Sequence, residues 1–157
     1  MPKKTQIVLI IIFSIFLVSC GYKKINQKDT PIIYIKTLEY TGDKRLGYLI
    51  KNQVLLTSQK NAKNNLEINL SLDKNKTPKD KNEAGKIIKF TVALNADLTI
   101  KNLDNMKTID KSFVQVIDYN VQKNHFETIS EERSVTINIA EKIAEDIIRY
   151  LTLSYGN

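Results

Sequence analysis

The sequence has one cysteine, one histidine, no tryptophan, three prolines and five glycines in 157 residues. These scarcities remove whole classes of chemistry. A single thiol forms no intramolecular disulfide, so the fold must hold by packing alone. With Cys20 and His125 alone of their kinds, the His/Cys cluster that zinc needs is absent, and triad and thiol-protease readings have no support. The glycines are scattered, and neither a phosphate-cradling loop nor a Gly-x-Ser-x-Gly elbow occurs. Glu131-Glu132 resembles a carboxylate pair, but adjacent helical residues point in different directions, and a helix start accounts for them better. His125 lies in a polar stretch where solvation is its expected state. No catalytic residue, metal site or cofactor is therefore expected, and the chain reads as a binding or assembly protein.

Long apolar runs are also scarce. One exists, Ile7 to Val18, preceded by Lys3 and Lys4. Its 12 residues fall short of the roughly 18–20 that span a bilayer as a helix. A basic start, a short apolar middle and small residues at its end describe a secretory signal peptide over residues 1–19. The cleavage region, Leu17-Val18-Ser19, leads directly into Cys20, and Leu-Val-Ser-Cys resembles the lipobox of bacterial lipoproteins. Cys20 is the expected lipidation site, bearing a diacylglycerol thioether and an amide-linked acyl chain such as palmitate. Each buried CH₂ adds about 0.8 kcal/mol of anchoring, so two or three chains hold such a protein on a membrane almost permanently. Gly21 is not an inner-membrane retention aspartate, which agrees with sorting to the outer membrane.

Acidic residues are outnumbered. Lys and Arg total 24 against 17 Asp and Glu, and without Lys3 and Lys4 the excess is still five. Export argues against nucleic acid as the polyanion. Phospholipid head groups and lipopolysaccharide phosphates are within reach of an envelope protein. The abundance of Lys, Asn and Ile also matches AT-rich codon usage, in which case the charge is plain solvation.

Residues 20–30 are polar and aperiodic after the cysteine and read as a tether. A single domain is expected over residues 31–157. Ile32 to Leu38 is β-branched and aromatic, a first strand ended by Thr41-Gly42-Asp43. A helix is expected from Asp43, its N-cap, to about Gln59, with Leu46, Leu49, Ile50, Val54 and Leu56 inward and Leu55 outward. Gly47 weakens its first turn. Leu66 to Asp73 alternates apolar and polar without a fault, a half-buried strand. Lys74 to Lys86 has hardly an apolar residue and reads as an exposed loop.

Ile87 to Leu103 is the longest alternation. Ile88, Phe90, Val92, Leu94, Ala96, Leu98 and Ile100 fall on one side, and Lys89, Thr91, Asn95, Asp97, Thr99 and Lys101 on the other. Asp104-Asn105 gives a turn, and Lys107 to Tyr119 returns as the hairpin partner. After a connection over Asn120 to Thr128, Ser130 to Leu153 carries a helical stripe of Ile139, Ala140, Ile143, Ala144, Ile147, Tyr150 and Leu151. Arg149 suits the C-terminal end of its dipole. The order β-α-β-β-β-α and the one-sided apolar faces predict an α+β fold, with two helices packed on one face of a four-stranded, mostly antiparallel sheet.

Taken together these stretches resemble the LptE family of lipopolysaccharide-assembly lipoproteins. The likeness runs through Cys20-Gly21-Tyr22, the Leu-rich helix after the first strand, and the long amphipathic hairpin. It continues through Asp118-Tyr119-Asn120, Asn124-His125-Phe126-Glu127, Ala140-Glu141 and Ala144 to Ile148. Tyr22-Lys23-Lys24 departs from the family, whose members carry Gly-Phe or Gly-Trp followed by apolar residues or proline. The resemblance implies a noncatalytic outer-membrane lipoprotein that plugs the LptD β-barrel translocon, assists its assembly and helps deliver lipopolysaccharide to the outer leaflet. It also makes Lys79, Lys81, Lys86 and Lys123 candidate contacts for lipid A phosphates, with solubilising charge as the alternative for each. The rival reading is an auxiliary periplasmic lipoprotein of a phospholipid transporter, or an activator of cell-wall synthesis, which shares anchor and size but not the barrel. A lipid-anchored hydrolase lacks the residues it needs.

Overall fold

A computed structural model describes residues 33–60 and 62–155. The signal peptide, Cys20 and the tether lie outside the described residues. The elements are β1 (Ile33–Thr41), α1 (Lys44–Leu55), β2 (Asn64–Lys81), β3 (Ile87–Asn102), β4 (Thr108–Asn120) and α2 (His125–Tyr155). The expected order and class hold. The strands lie in the order β1-β2-β3-β4, with β1 parallel to β2 and the other pairs antiparallel.

Alternation explains how the layers assemble. Leu66, Ile68, Leu70 and Leu72 of β2 and Val92, Leu94, Ala96, Leu98 and Ile100 of β3 all project to one face and are buried. Onto that face α1 lays Leu46, Ile50 and Val54, and α2 lays Ile139, Ala140, Ile143, Ala144, Ile147 and Leu151. Both helices start at one end of the sheet and return to the other. Asp43 caps α1 as expected, its carboxylate accepting from the N–H groups of Arg45 and Leu46. The glycine that weakens α1 by propensity has a packing reason. A Cβ on Gly47 would stand 2.2 Å from the Tyr40 ring, so only glycine lets helix and strand approach this closely.

Several boundaries differ from expectation. The principal correction concerns Lys74 to Lys86, which is not a loop over most of its length. β2 continues through Lys81, pairing with β3 from Leu66↔Asn102 to Lys81↔Ile87, and only residues 82–86 form the turn. The 16-residue β3 sets this length, because an eight-residue partner would leave half of its backbone unpaired. Asn82 closes the turn, its side chain accepting from the N–H groups of Ala84 and Lys86. Second, α2 begins at His125, not Ser130, with Asn124 accepting from the Glu127 N–H at 2.7 Å. Glu131 and Glu132 therefore sit in its second turn, and Arg149 lies well before its end, 3.9 Å from Asp146. Third, α1 stops at Leu55, so Leu56 is 86% exposed while Leu55 packs on the core, the reverse of the expected orientation. Ile88 is likewise exposed rather than inward, beside register shifts where β2 ends.

The sheet's second face carries no helix. Its polar side chains bond to one another across the strands: Thr91 to Asp118, Thr99 to Asp110 and Ser112 to Asp97, at 2.6–2.7 Å. Ala93, Val114 and Val116 form a small apolar strip among them, the two valines more than half exposed.

Candidate functional site

The groove of interest lies where β2 and β3 outrun the core and α2 begins. Continuing the phase of Leu66 to Leu72, Lys74 and Lys76 project to the helix side of the sheet, although they are lysines. Lys76 crosses two aromatic rings, 4.3 Å from the centroid of Phe90 and 5.5 Å from that of Tyr119. Those rings stack at 5.7 Å. The Lys76 ammonium donates to Glu132 at 2.5 Å, and the Tyr119 hydroxyl donates to the same carboxylate at 2.9 Å. A cation thus lies on an aromatic shelf and is clipped by a carboxylate from α2.

The pKa directions follow this geometry. Burial opposes the charged form of Glu132, but the bonds from Lys76 and Tyr119 outweigh it and hold the carboxyl below its ordinary value. Burial opposes the charged Lys76 too, and its bonds to Glu132 and Tyr119 hold it above the ordinary lysine value. The Tyr119 hydroxyl is pushed up, first by burial and then by Glu132.

Around this clip opens a groove of about 520 Å³. Ile87, Phe90, Val121 and Ile129 supply apolar lining, and Lys76, Lys86, Lys123 and His125 supply basic groups. A second groove of about 380 Å³ adjoins it at Ile129 and Glu132, lined also by Arg45, Lys74 and Arg133. An apolar floor rimmed by cations suits an amphiphile that has an anionic head and hydrocarbon beside it. Lys86 and Lys123 pair with no carboxylate among the described residues, so their charge is available to a ligand.

The four lysines singled out by sequence thus separate. Lys86 and Lys123 meet in the groove. Lys79 is turned away, bonded to Asp118 beside the open sheet face, where that bond raises its pKa and lowers the pKa of Asp118. Lys81 ends β2, exposed and outside the groove. Lys76, Arg45 and Arg133 were not among the candidates. The available signal for Lys76 was its phase, two and four residues beyond Lys74 and Leu72 in an unbroken alternation. His125 lines the groove from the first turn of α2 instead of standing in a loop. Among the described residues no group of His, Cys, Asp or Glu is arranged to hold a metal ion, and no helix is long and apolar enough to cross a membrane.

Two helices over one face of a four-stranded sheet, with the first two strands parallel, define an α+β sandwich that recurs in solved structures. Rare lipoprotein B from Shewanella oneidensis superposes with a TM-score of 0.60 at 12% identity, over 75% of this chain and 95% of that one. Lipoprotein B from Nitrosomonas europaea, an uncharacterized protein, gives 0.57 at 11% identity, over 84% and 90%. At such identities the likeness is one of fold. No family model matches the chain, and no curated protein matches it in sequence.

Proposed function

We propose that this chain is an outer-membrane lipoprotein of the LptE kind, which plugs an LptD-type barrel, assists its assembly and helps pass lipopolysaccharide to the outer leaflet, all without catalysis. The observation that carries the reading is the shared fold: rare lipoprotein B is the LptE family, and the superposition spans nearly all of that chain. Two features of this protein agree with it. Apart from the strip at Ala93, Val114 and Val116, its open sheet face is polar and cross-linked by hydrogen bonds, as suits a surface facing the wet lumen of a large barrel. Its basic groove combines Lys86 and Lys123 with an apolar floor, the two properties that lipid A presents in its phosphates and acyl chains.

Depletion tests this directly. Loss of the chain should leave the barrel partner misassembled and lipopolysaccharide missing from the cell surface. A native pull-down that instead recovers inner-membrane transport or cell-wall synthesis machinery, with barrel assembly intact on depletion, would transfer the chain to the rival class of auxiliary periplasmic lipoprotein.

A further inference from the structure

We infer that the end of the domain opposite the groove is a membrane-contacting surface, which seats the acylated lipoprotein upright on an anionic phospholipid bilayer before a barrel encloses it. This rests on the acylation of Cys20 and adds a surface to that anchor. At this end β1 begins, α1 and α2 finish, and β3 turns into β4. The Gln59 N–H donates to the Ile33 carbonyl, and the Asn64 side chain donates to the Tyr155 carbonyl, which ties these segments together. Three large apolar side chains stand exposed here on three separate segments: Leu56 at 86%, Met106 at 66% and Leu153 at 74%. Lys60, Lys63 and Lys107 are exposed among them. Asp104 lies nearby and stays anionic, its carboxylate accepting from the backbone and side-chain N–H groups of Asn65, so the three lysines outnumber it.

Single exposed apolar residues are ordinary. Met106 is not. It holds φ at 59°, the left-handed region that glycine or asparagine occupies at least cost, and there it presents a bare thioether side chain to solvent. An apolar residue in a strained turn gains nothing from water, but it gains from the acyl boundary of a bilayer, where leucine and methionine insert while lysines meet anionic head groups.

A second exposed apolar set, Ile88, Phe126 and Ile129, lies at the far end beside the groove, and the tether decides between them. Cys20 precedes Ile33 by 13 residues, which reach at most about 45 Å fully extended. The 31 residues of α2 span about 46 Å from end to end. To bring the far end to the bilayer, the tether would have to run taut along the whole flank. The near end needs no such stretch, because Ile33 emerges there. The groove with Lys86 and Lys123 then stands one domain length from the anchor, clear of the leaflet that holds it.

Acylation of Cys20 consumes the only native thiol, so an introduced cysteine is a unique labelling site. The acylated full-length mature chain carrying Leu56→Cys, Met106→Cys, Leu153→Cys or Glu83→Cys is labelled with an environment-sensitive fluorophore. It is then bound to vesicles of phosphatidylethanolamine and phosphatidylglycerol with brominated acyl chains. Labels at 56, 106 and 153 should shift to the blue and lose most of their emission, while the label at 83, in the β2–β3 turn, should do neither. As a second variant, Leu56→Asp with Leu153→Asp should abolish quenching of the label at 106 while the protein still floats with the vesicles. Flotation without quenching at 56, 106 and 153, or equal quenching at 83, overturns the inference while leaving the anchor intact. A chain that does not float and retains an unmodified Cys20 overturns the anchor as well.

Discussion

Lys76 and Glu132 bond to each other, yet substituting either one should move ligand affinity in opposite directions. In Glu132→Gln the 2.5 Å ion pair with Lys76 becomes a bond from the ammonium to a neutral amide oxygen, and Tyr119 retains an acceptor. Such bonds contribute about 1.5–3 kcal/mol when well shielded, and with these side chains roughly one-third exposed the expected loss of stability is about 1 kcal/mol. Lys76→Gln removes the same ion pair and the cation over Phe90, so its cost should be similar. The groove's charge, however, changes by one unit with opposite sign. A doubly charged phosphate about 8 Å away through water-like dielectric gains or loses about 1 kcal/mol, roughly fivefold in affinity. Urea denaturation checks the shared loss of stability, and titration with lipid A, against a variant lipid lacking its phosphates, checks the split in affinity. Equal shifts in the same direction, or no shift for either variant, would refute the assignment of the groove as the anion site.

Charge reversal at Lys86 or Lys123 should weaken lipid A binding several-fold, whereas Lys79→Glu should hardly change it, because Lys79 is bonded to Asp118 outside the groove; titration calorimetry on the three variants compares them. Gly47→Ala gains at most about 1 kcal/mol of helix propensity but drives a Cβ to 2.2 Å from Tyr40, an overpacking that costs about 1–3 kcal/mol, so a net loss in chemical denaturation is expected and a more stable variant would contradict the packing. Ile143 is fully buried on the inner face of α2, and Ile143→Ala should cost about 2–5 kcal/mol by the same assay. The folded-state pKa of Glu132 is lowered, so its contribution is fully present above the ordinary value of 4.5 and is lost as pH falls through the lower folded value. That of Lys76 is raised, so its contribution is present below 10.5 and is lost at higher pH still. Thermal melts should therefore be flat between these limits, and Glu132→Gln should blunt the decline on the acid side.

How far the chain was legible depended on whether apolar periodicity carried the signal. Leu66 to Leu72 and Phe90 to Ile100 declare their faces, and the stripe from Ile139 to Leu151 declares a helix; together they give class, element order and helix placement. Where strands leave the core, that signal ends. Residues 74–81 are lysines set among asparagine, threonine, proline and aspartate, so hydropathy reads a loop although β3 supplies a partner for all of them but Lys79. The start of α2 was hidden for a related reason, since His125, Glu127 and Thr128 are polar, Phe126 is exposed, and this turn, capped by Asn124, lies beyond the sheet's hydrophobic area. The site suffered most. Lys86 and Lys123 could be chosen as exposed cations, but their meeting across a groove depends on the hairpin folding back against the first turn of α2. Lys76 looked like solubilising charge because its partners, Phe90, Tyr119 and Glu132, come from three other elements.

The central claim, a barrel plug whose bare sheet face meets the lumen wall, is most directly tested by photocrosslinking in intact cells. A photoreactive residue placed at Val114 or Val116, exposed on that face, should yield an adduct with a many-stranded outer-membrane barrel, and the same residue at buried Leu98 should yield none. Adducts from Val114 and Val116 to inner-membrane or peptidoglycan proteins, with none to a barrel, would contradict it.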